Sequence, residues 1–135
     1  EEDDPAYPLI LISAKSRYYL LSSYRWVEKL RQKRPHPLVE IHPDTAAAHG
    51  ISEGDPVVIE TKYGAISQLA RVTDSVHPRV VSAALGWWFP EGDASRQFDW
   101  RESNFNMLTS ITKLGKEFGT PNIKNLPCRI RKKEE

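Results

Sequence analysis

Residues 50–74, GISEGDPVVIETKYGAISQLARVTD, restrict the fold more than any other stretch of this chain. Gly50 ends a short helical segment, and Gly54-Asp55 turns the chain into the next strand. The glycine can take positive φ, and the aspartate carboxylate can accept backbone N–H bonds across the turn. Val57, Ile59 and Thr61 then alternate with Val58, Glu60 and Lys62, the period of a strand, and a turn at Tyr63-Gly64 sends a second strand back. Asp55 reads as a structural carboxylate of the turn.

The flanking segments extend the β reading. YPLILISA (7–14) is an apolar run ending in small and polar residues, the pattern of a buried strand leaving its sheet. A polar and aromatic loop follows. Ser23 to Lys33 then carries Trp26, Val27 and Leu30 at helical spacing, with Trp26 and Leu30 expected to pack on the core, until Pro35 and Pro37 stop the helix. LVEI (38–41) is a short strand, and HPDTAAAHG (42–50) a short helix with Pro43 in its first turn and Asp44 at the positive end of its dipole. HPRVVSAAL (77–85) supplies another strand, and PCRIRKK (127–133) is placed to close the sheet. Several short strands with modest helices predict a small, mainly β barrel. Between Gly86 and Pro127 the chain is irregular but rich in aromatics, so it is expected to be ordered and functional. Within it GWWFPEG (86–92) is expected to give one or two rings to the core, with Trp88 at the edge of a site.

Composition removes several function classes. The 135 residues suffice for one domain with a hydrophobic core, and a net charge of +1 predicts no polyanion partner. The single cysteine, Cys128, rules out an internal disulfide or a cysteine-built metal cluster, and the four histidines lack the pairing of a metal site. No apolar run reaches the roughly 18–20 residues that cross a bilayer, so no membrane contact is expected. The charge distribution is uneven, however. From Lys15 to Arg34 stand seven basic residues and one acidic residue, Glu28, a local excess suited to phosphates or to solvent.

The order of these segments resembles the molybdopterin dinucleotide-binding domain, the C-terminal module of molybdenum and tungsten oxidoreductases related to dimethyl sulfoxide reductase and formate dehydrogenase. The stations of the resemblance are YPLILISAKS, LVEIHPDTAAAHGISEGDPVVIETKYG, RVVSAALGWWFPEG, SNFNMLT (103–109) and LPCRIRK. It covers residues 7–131, leaving 1–6 as a linker or cut end and 132–135 as a charged tail. GWWFPE and CRI are most similar to the branch of polysulfide- and thiosulfate-type reductases and acetylene hydratase.

The resemblance implies a double-psi β-barrel with two or three short peripheral helices and a long irregular loop region. It also implies a cofactor, molybdopterin guanine dinucleotide, which carries molybdenum or tungsten without a metal ligand from this chain. The first loop, Ser13, Ala14, Lys15, Ser16 and Arg17 with Ser22 and Ser23, would wrap the cofactor, Lys15 and Arg17 offsetting phosphate charge. Asn106, Asn104 and Lys124 fall where the family meets the pterin or its surroundings, and Trp88 would border the pocket. Where relatives commonly have a Gly-Arg pair this chain has Ala14-Lys15, a point charge in place of a planar fork, and where many have histidine it has Leu21.

Such a module is not expected to catalyse alone. Its partners would be the upstream domains of the same polypeptide and an iron–sulfur subunit, with the cytoplasmic and periplasmic sides both open. The acidic opening EEDDPAYP and the lack of a signal peptide suit a piece of a longer chain. The competing reading is a Gly-Asp-turn barrel that binds nucleic acid or protein, with Tyr18, Tyr19, Tyr24 and Trp26 interleaved among the basic residues of 15–34.

Overall fold

A computed structural model describes residues 4–134 of the chain. The expected linker residues 1–3 and the last residue of the expected tail lie outside the described residues. Six strands form the barrel: β1 (Leu9–Ala14), β2 (Leu38–Ile41), β3 (Pro56–Thr61), β4 (Gly64–Val72), β5 (Val80–Ala84) and β6 (Leu126–Lys132). Their order around the barrel is β1-β5-β2-β4-β3-β6, closed by β6 against β1. The barrel thus leaves no strand edge open among these six. Two of the pairings are parallel, β1 with β5 and β2 with β4, and the others antiparallel. This closed order with two crossing parallel pairs is the double-psi arrangement.

The strands form where side chains alternate. Leu9, Leu11 and Ser13 of β1 point inward while the residues between them are half-buried. Val57, Ile59 and Thr61 of β3 are buried as well, and Val57 and Ile59 meet Leu11, Val39, Ile41, Val81, Cys128 and Ile130 in one core. Burial pushes the Cys128 thiol up to about 12, so it is an inert apolar filler. Outside the barrel Glu60 meets Arg129 directly across β3 and β6, at 2.6 Å.

The Gly-Asp turn is as read. Gly54 sits at φ +81°, and the Asp55 carboxylate accepts the Ser52 N–H at 2.9 Å and lies 3.0 Å from Lys132 Nζ. The Ser52 bond first, then Lys132, holds the Asp55 carboxyl below its ordinary range. Around the barrel stand three short helices, α1 (Glu28–Lys33), α2 (Pro43–Ala48) and α3 (Trp100–Ser103). The irregular region folds back on the barrel. Phe105 and Leu108, in a 3-10 turn at Phe105–Leu108, are fully buried in the core.

One side chain fastens that region. Gln68 of β4 is buried; its Nε2 donates to the carbonyls of Ala84 and Ser103, each at 3.0 Å, and its Oε1 accepts the Ala84 N–H at 2.9 Å. A single carboxamide thereby joins β4, the end of β5 and the entry to the 105–108 turn.

The helix expected over 23–33 is shorter. Leu21 and Tyr24 take positive φ, +53° and +71°, which breaks the helical path, and α1 starts only at Glu28. Trp26 is 65 % exposed instead of packed, and Leu30 is half-buried. The inward place in this segment belongs to Arg25.

Two outcomes are expected. Gln68→Leu, similar in size but unable to bond, removes the partner of the buried Ser103 carbonyl and of the half-buried Ala84 N–H and carbonyl, and lowers unfolding stability by about 2–4 kcal/mol in urea denaturation. The depressed folded-state pKa of Asp55 means that its contribution is present above the ordinary aspartate value and is lost as pH falls below about 4. Asp55→Asn therefore lowers the neutral side of a stability–pH curve and flattens its acid limb, the two proteins converging at low pH.

Candidate functional site

Parallel pairing brings the C-terminal ends of β1 and β5 out at the same end of the barrel. Ala14 lies opposite Ala84, and the Leu85 N–H donates to the Ala14 carbonyl at 2.9 Å. The first loop and the GWWFPEG segment therefore leave side by side, an arrangement in which a ligand can be held between two strand ends. Gly86 permits the approach. Its φ is +72°, and a Cβ there would stand 3.0 Å from the carbonyl carbon of Leu21.

Between these segments lies a cavity of about 60 Å³. Ala14, Lys15, Ser16, Arg25, Arg34 and Trp87 line it, together with Leu38, Glu40, Ala84 and Leu85. Its wall is built on Arg25, which is only 1 % exposed. The guanidinium carbon lies 3.9 Å from the centre of the Trp87 ring and 4.4 Å from that of Tyr19, and the two rings meet edge to face at 5.7 Å. Arg25 Nη2 donates to the Leu21 carbonyl at 3.0 Å and to the Gly86 carbonyl at 2.8 Å. One buried cation thus pins the first loop to the end of β5. Tyr19 secures the other side, its hydroxyl donating to the Arg34 carbonyl at 2.5 Å.

The electrostatics are one-sided. Burial pulls Arg25 down to about 10, which still leaves it charged at neutral pH. Among the described residues no carboxylate bonds to it. Cation–π contacts with two rings offset part of its desolvation, each by up to about 2 kcal/mol. Arg31, whose guanidinium stands 5.7 Å over the Trp87 ring, is paired with Glu91, its Nη2 donating to both carboxylate oxygens at 2.7 Å.

The residues singled out from sequence fall into three groups. Ala14, Lys15 and Ser16 line the cavity, with Lys15 exposed at its rim and the Ser16 hydroxyl accepting the Tyr18 N–H. Ser13, Lys124, Ser22, Trp88 and Asn104 form the supporting wall. Lys124 Nζ donates to the Ser13 carbonyl, and Trp88 Nε1 to the Ser22 carbonyl at 3.1 Å. Asn104 Nδ2 donates to the Trp87 carbonyl at 3.1 Å while its Oδ1 accepts the Asn106 N–H at 3.0 Å. Arg17, Ser23 and Asn106 do not line the cavity. Arg17 and Asn106 are exposed at this end, and Ser23 closes a tight loop by bonding the Leu20 carbonyl.

Arg25, Arg34 and Tyr19 were missed as site residues. The basic run 15–34 held the signal, but periodicity favours Trp26 as the inward residue. Arg25 is chosen by aromatic faces, one of them on Trp87 in a distant segment. Trp87 is the buried ring of the aromatic run, half-buried Phe89 packs edge to face against it at 6.3 Å, and Trp88, also half-buried, lies beside Phe98.

Comparison with known proteins places this geometry in context. The family profile described as molydopterin (molybdopterin) dinucleotide binding domain matches residues 9–127. Dopamine dehydroxylase from Eggerthella lenta is 34 % identical over 128 residues, which is 93 % of this chain and 12 % of that protein. A probable dimethyl sulfoxide reductase chain from Escherichia coli is 32 % identical over 92 % of this chain and 16 % of its own length. Among solved structures, acetylene hydratase from Pelobacter acetylenicus superposes with a TM-score of 0.86 and 27 % identity, over 94 % of this chain and 18 % of that one. The chain thus spans less than a fifth of each of these relatives.

Gly86→Ala is expected to cost about 1–3 kcal/mol, because it combines a strained φ with a backbone contact. Amide hydrogen exchange should speed up in residues 16–25, which lean on Gly86, before it does in β3 and β4.

Proposed function

The chain belongs to the family of molybdopterin dinucleotide binding domains, its cofactor being molybdopterin guanine dinucleotide, and on that premise we propose that the end of the barrel carrying Ala14 and Gly86 is where it grips that cofactor. The observation that carries the proposal is that, of the buried donors without acceptors among the described residues, four sit on residues lining this cavity: Nε and Nη1 of Arg25, Nε of Arg34 and Nε1 of Trp87, with Arg31 Nη1, Tyr63 Oη and Ser103 Oγ lying elsewhere. Buried donors left unpaired cost about 1–3 kcal/mol each, so they point to an acceptor brought by a ligand. An anionic, acceptor-rich group with flat rings fits such a wall. The close approach at Gly86, where a side chain would fill the gap, fits it too.

In this reading each element has a task. Ala14, Lys15 and Ser16 present the first loop to the cofactor, Lys15 adding charge at the rim, and Arg17 adds a second exposed cation outside the cavity. Ser13 and Lys124 hold the base of that loop; Ser22 and Ser23 shape its return, with Ser22 fixing Trp88 as an apolar border. Asn104 is bound to the Trp87 carbonyl and caps the 105–108 turn, so it positions Asn106, whose exposed carboxamide offers both a donor and an acceptor to a pterin edge. The bound cofactor supplies the dithiolene that carries molybdenum or tungsten, and the protein supplies orientation and electrostatics. The described residues contain no group of three or more metal-ligating side chains, and the assignment asks for none.

The module would work within a molybdenum or tungsten oxidoreductase, of the polysulfide- and thiosulfate-type or acetylene hydratase-like branch. Its partners there are upstream domains of the same polypeptide, with an iron–sulfur subunit as electron partner. Lys15→Ala combined with Asn106→Ala, introduced into the complete parent polypeptide, should lower the guanine nucleotide recovered per protein after denaturation by about tenfold at limiting cofactor. Unchanged recovery would remove both residues from the site.

A further inference from the structure

The segment between the 105–108 turn and β6 is an arm to which the cofactor reading gives no task. Its roots are fixed at the ends of two strands. The Leu108 carbonyl accepts the Thr61 hydroxyl at 2.8 Å where β3 ends, and the Ile123 carbonyl accepts the Ser13 N–H at 3.2 Å near the end of β1. β1 and β3 both run antiparallel to β6, so both roots lie at the same end of the barrel. Between them the chain stands out into solvent: every residue from 111 to 122 is exposed.

The arm is exposed yet shaped. Buried Ser110 opens it, its hydroxyl accepting the N–H groups of Thr112 and Lys113 at 3.1 and 3.0 Å. The Gly115 N–H donates to the Thr120 carbonyl at 2.8 Å, and Leu114 pairs with Pro121 in a short β-bridge. Gly119, at φ +62°, turns the tip back, its N–H donating to the Gly115 carbonyl at 2.9 Å. This hairpin carries apolar side chains into water, Ile111 being 89 % exposed and Phe118 84 %. Apolar side chains on an ordered turn lose little freedom on binding, which is what a docking arm needs.

We propose that the 110–121 arm docks Ile111 and Phe118 into an apolar, acidic-rimmed pocket on a part of the same, longer polypeptide that lies outside these 135 residues. Three observations choose that partner. The nine large apolar side chains exposed among the described residues all belong to the segments that leave this end of the barrel, 15–37 and 85–125, so one end alone is built to be covered. The chain spans only 12 % of dopamine dehydroxylase and 18 % of acetylene hydratase, which leaves a far larger body of polypeptide to cover it. A surface tethered in the same chain also acts at high effective concentration. Lys113 and Lys116 against the single Glu117 then ask for acidic residues around the pocket. The proposal goes beyond the cofactor reading and does not depend on which residues meet the cofactor.

The test replaces Phe118 by the photo-reactive benzoylphenylalanine in the complete parent polypeptide and maps the cross-linked peptides by mass spectrometry. A link from position 118 to a segment of the same polypeptide outside these 135 residues is expected, with a yield that does not change on dilution. No link, a link within the 135 residues, or a link to a second polypeptide chain would overturn the proposal. Limited trypsin digestion of the parent gives a second measurement. Cleavage after Lys113 and Lys116 should be slow, and Ile111→Ser combined with Phe118→Ser should speed it about tenfold by undocking the arm. Both side chains stand in water on the barrel itself, so this variant keeps the barrel folded. Cleavage of the unaltered parent as fast as that of a free peptide of residues 108–123 would also overturn the docking. Failure here with nucleotide recovery still sensitive to Lys15→Ala and Asn106→Ala sinks the arm alone; insensitivity in that other experiment sinks those cofactor contacts instead.

Discussion

The parallel ladder between β1 and β5 fixes where two distant segments of chain emerge, and the rest of the site depends on it. Ile10 to Ala14 run beside Val80 to Ala84 in the same direction, so the next residues of both strands leave at one end. An antiparallel pairing would have sent Lys15 and Trp87 to opposite ends. Parallel neighbours need long crossovers, and the chain spends 65 residues between Ala14 and Val80 building β2, β3, β4 and two helices. The closed barrel is therefore a device for holding two loop origins a few ångströms apart, with a packed core beneath them.

What then happens between those loops is a competition between desolvation and attraction. Placing Arg25 inside costs several kcal/mol if nothing answers its charge. Two aromatic faces and two carbonyls answer part of it, yet half of its hydrogen-bonding edge is left over. A chain selected only for stability would do better with an apolar residue at this place. Tyr19 shows the same bias: burial raises its pKa while Arg31, Arg25 and Arg34 work against that rise, so the phenol sits among cations that its own hydroxyl does not neutralise. Excess positive potential kept out of water is what binding a multiply charged group requires.

The architecture was largely legible in the chain because it follows from local rules. The Gly54-Asp55 turn, the alternation through β3, and the LVEI strand each depend on neighbours within a few residues. Residues 13–16 were legible as the start of a rim loop because a strand that runs into small and polar residues must leave its sheet. Arg25 was not legible. Its burial depends on Trp87, whose ring arrives through β5, and on positive φ at Leu21 and Tyr24, conformations that neither residue type advertises. The helical period that makes Trp26 look inward is present in the sequence; the backbone simply does not follow it until Glu28.

The strained backbone points the same way as the unpaired donors. Of the non-glycine residues at positive φ, Leu21 and Tyr24 lie in the first loop, and Gln97, Phe98 and Asp99 in the segment that packs on Trp88. Trp88 joins the two, donating to Ser22 and resting its ring 5.7 Å from that of Phe98. Each such residue costs on the order of 1 kcal/mol and survives only where surrounding contacts over-determine it. Here those contacts converge on one end of one barrel, and on that end Leu20, Leu21, Tyr24 and Trp26 are also left facing water. Strain, unpaired donors and exposed apolar rings all raise the energy of the bare surface. A ligand or neighbouring protein segment that covers this end would pair the donors and bury the apolar side chains against loops already held in place.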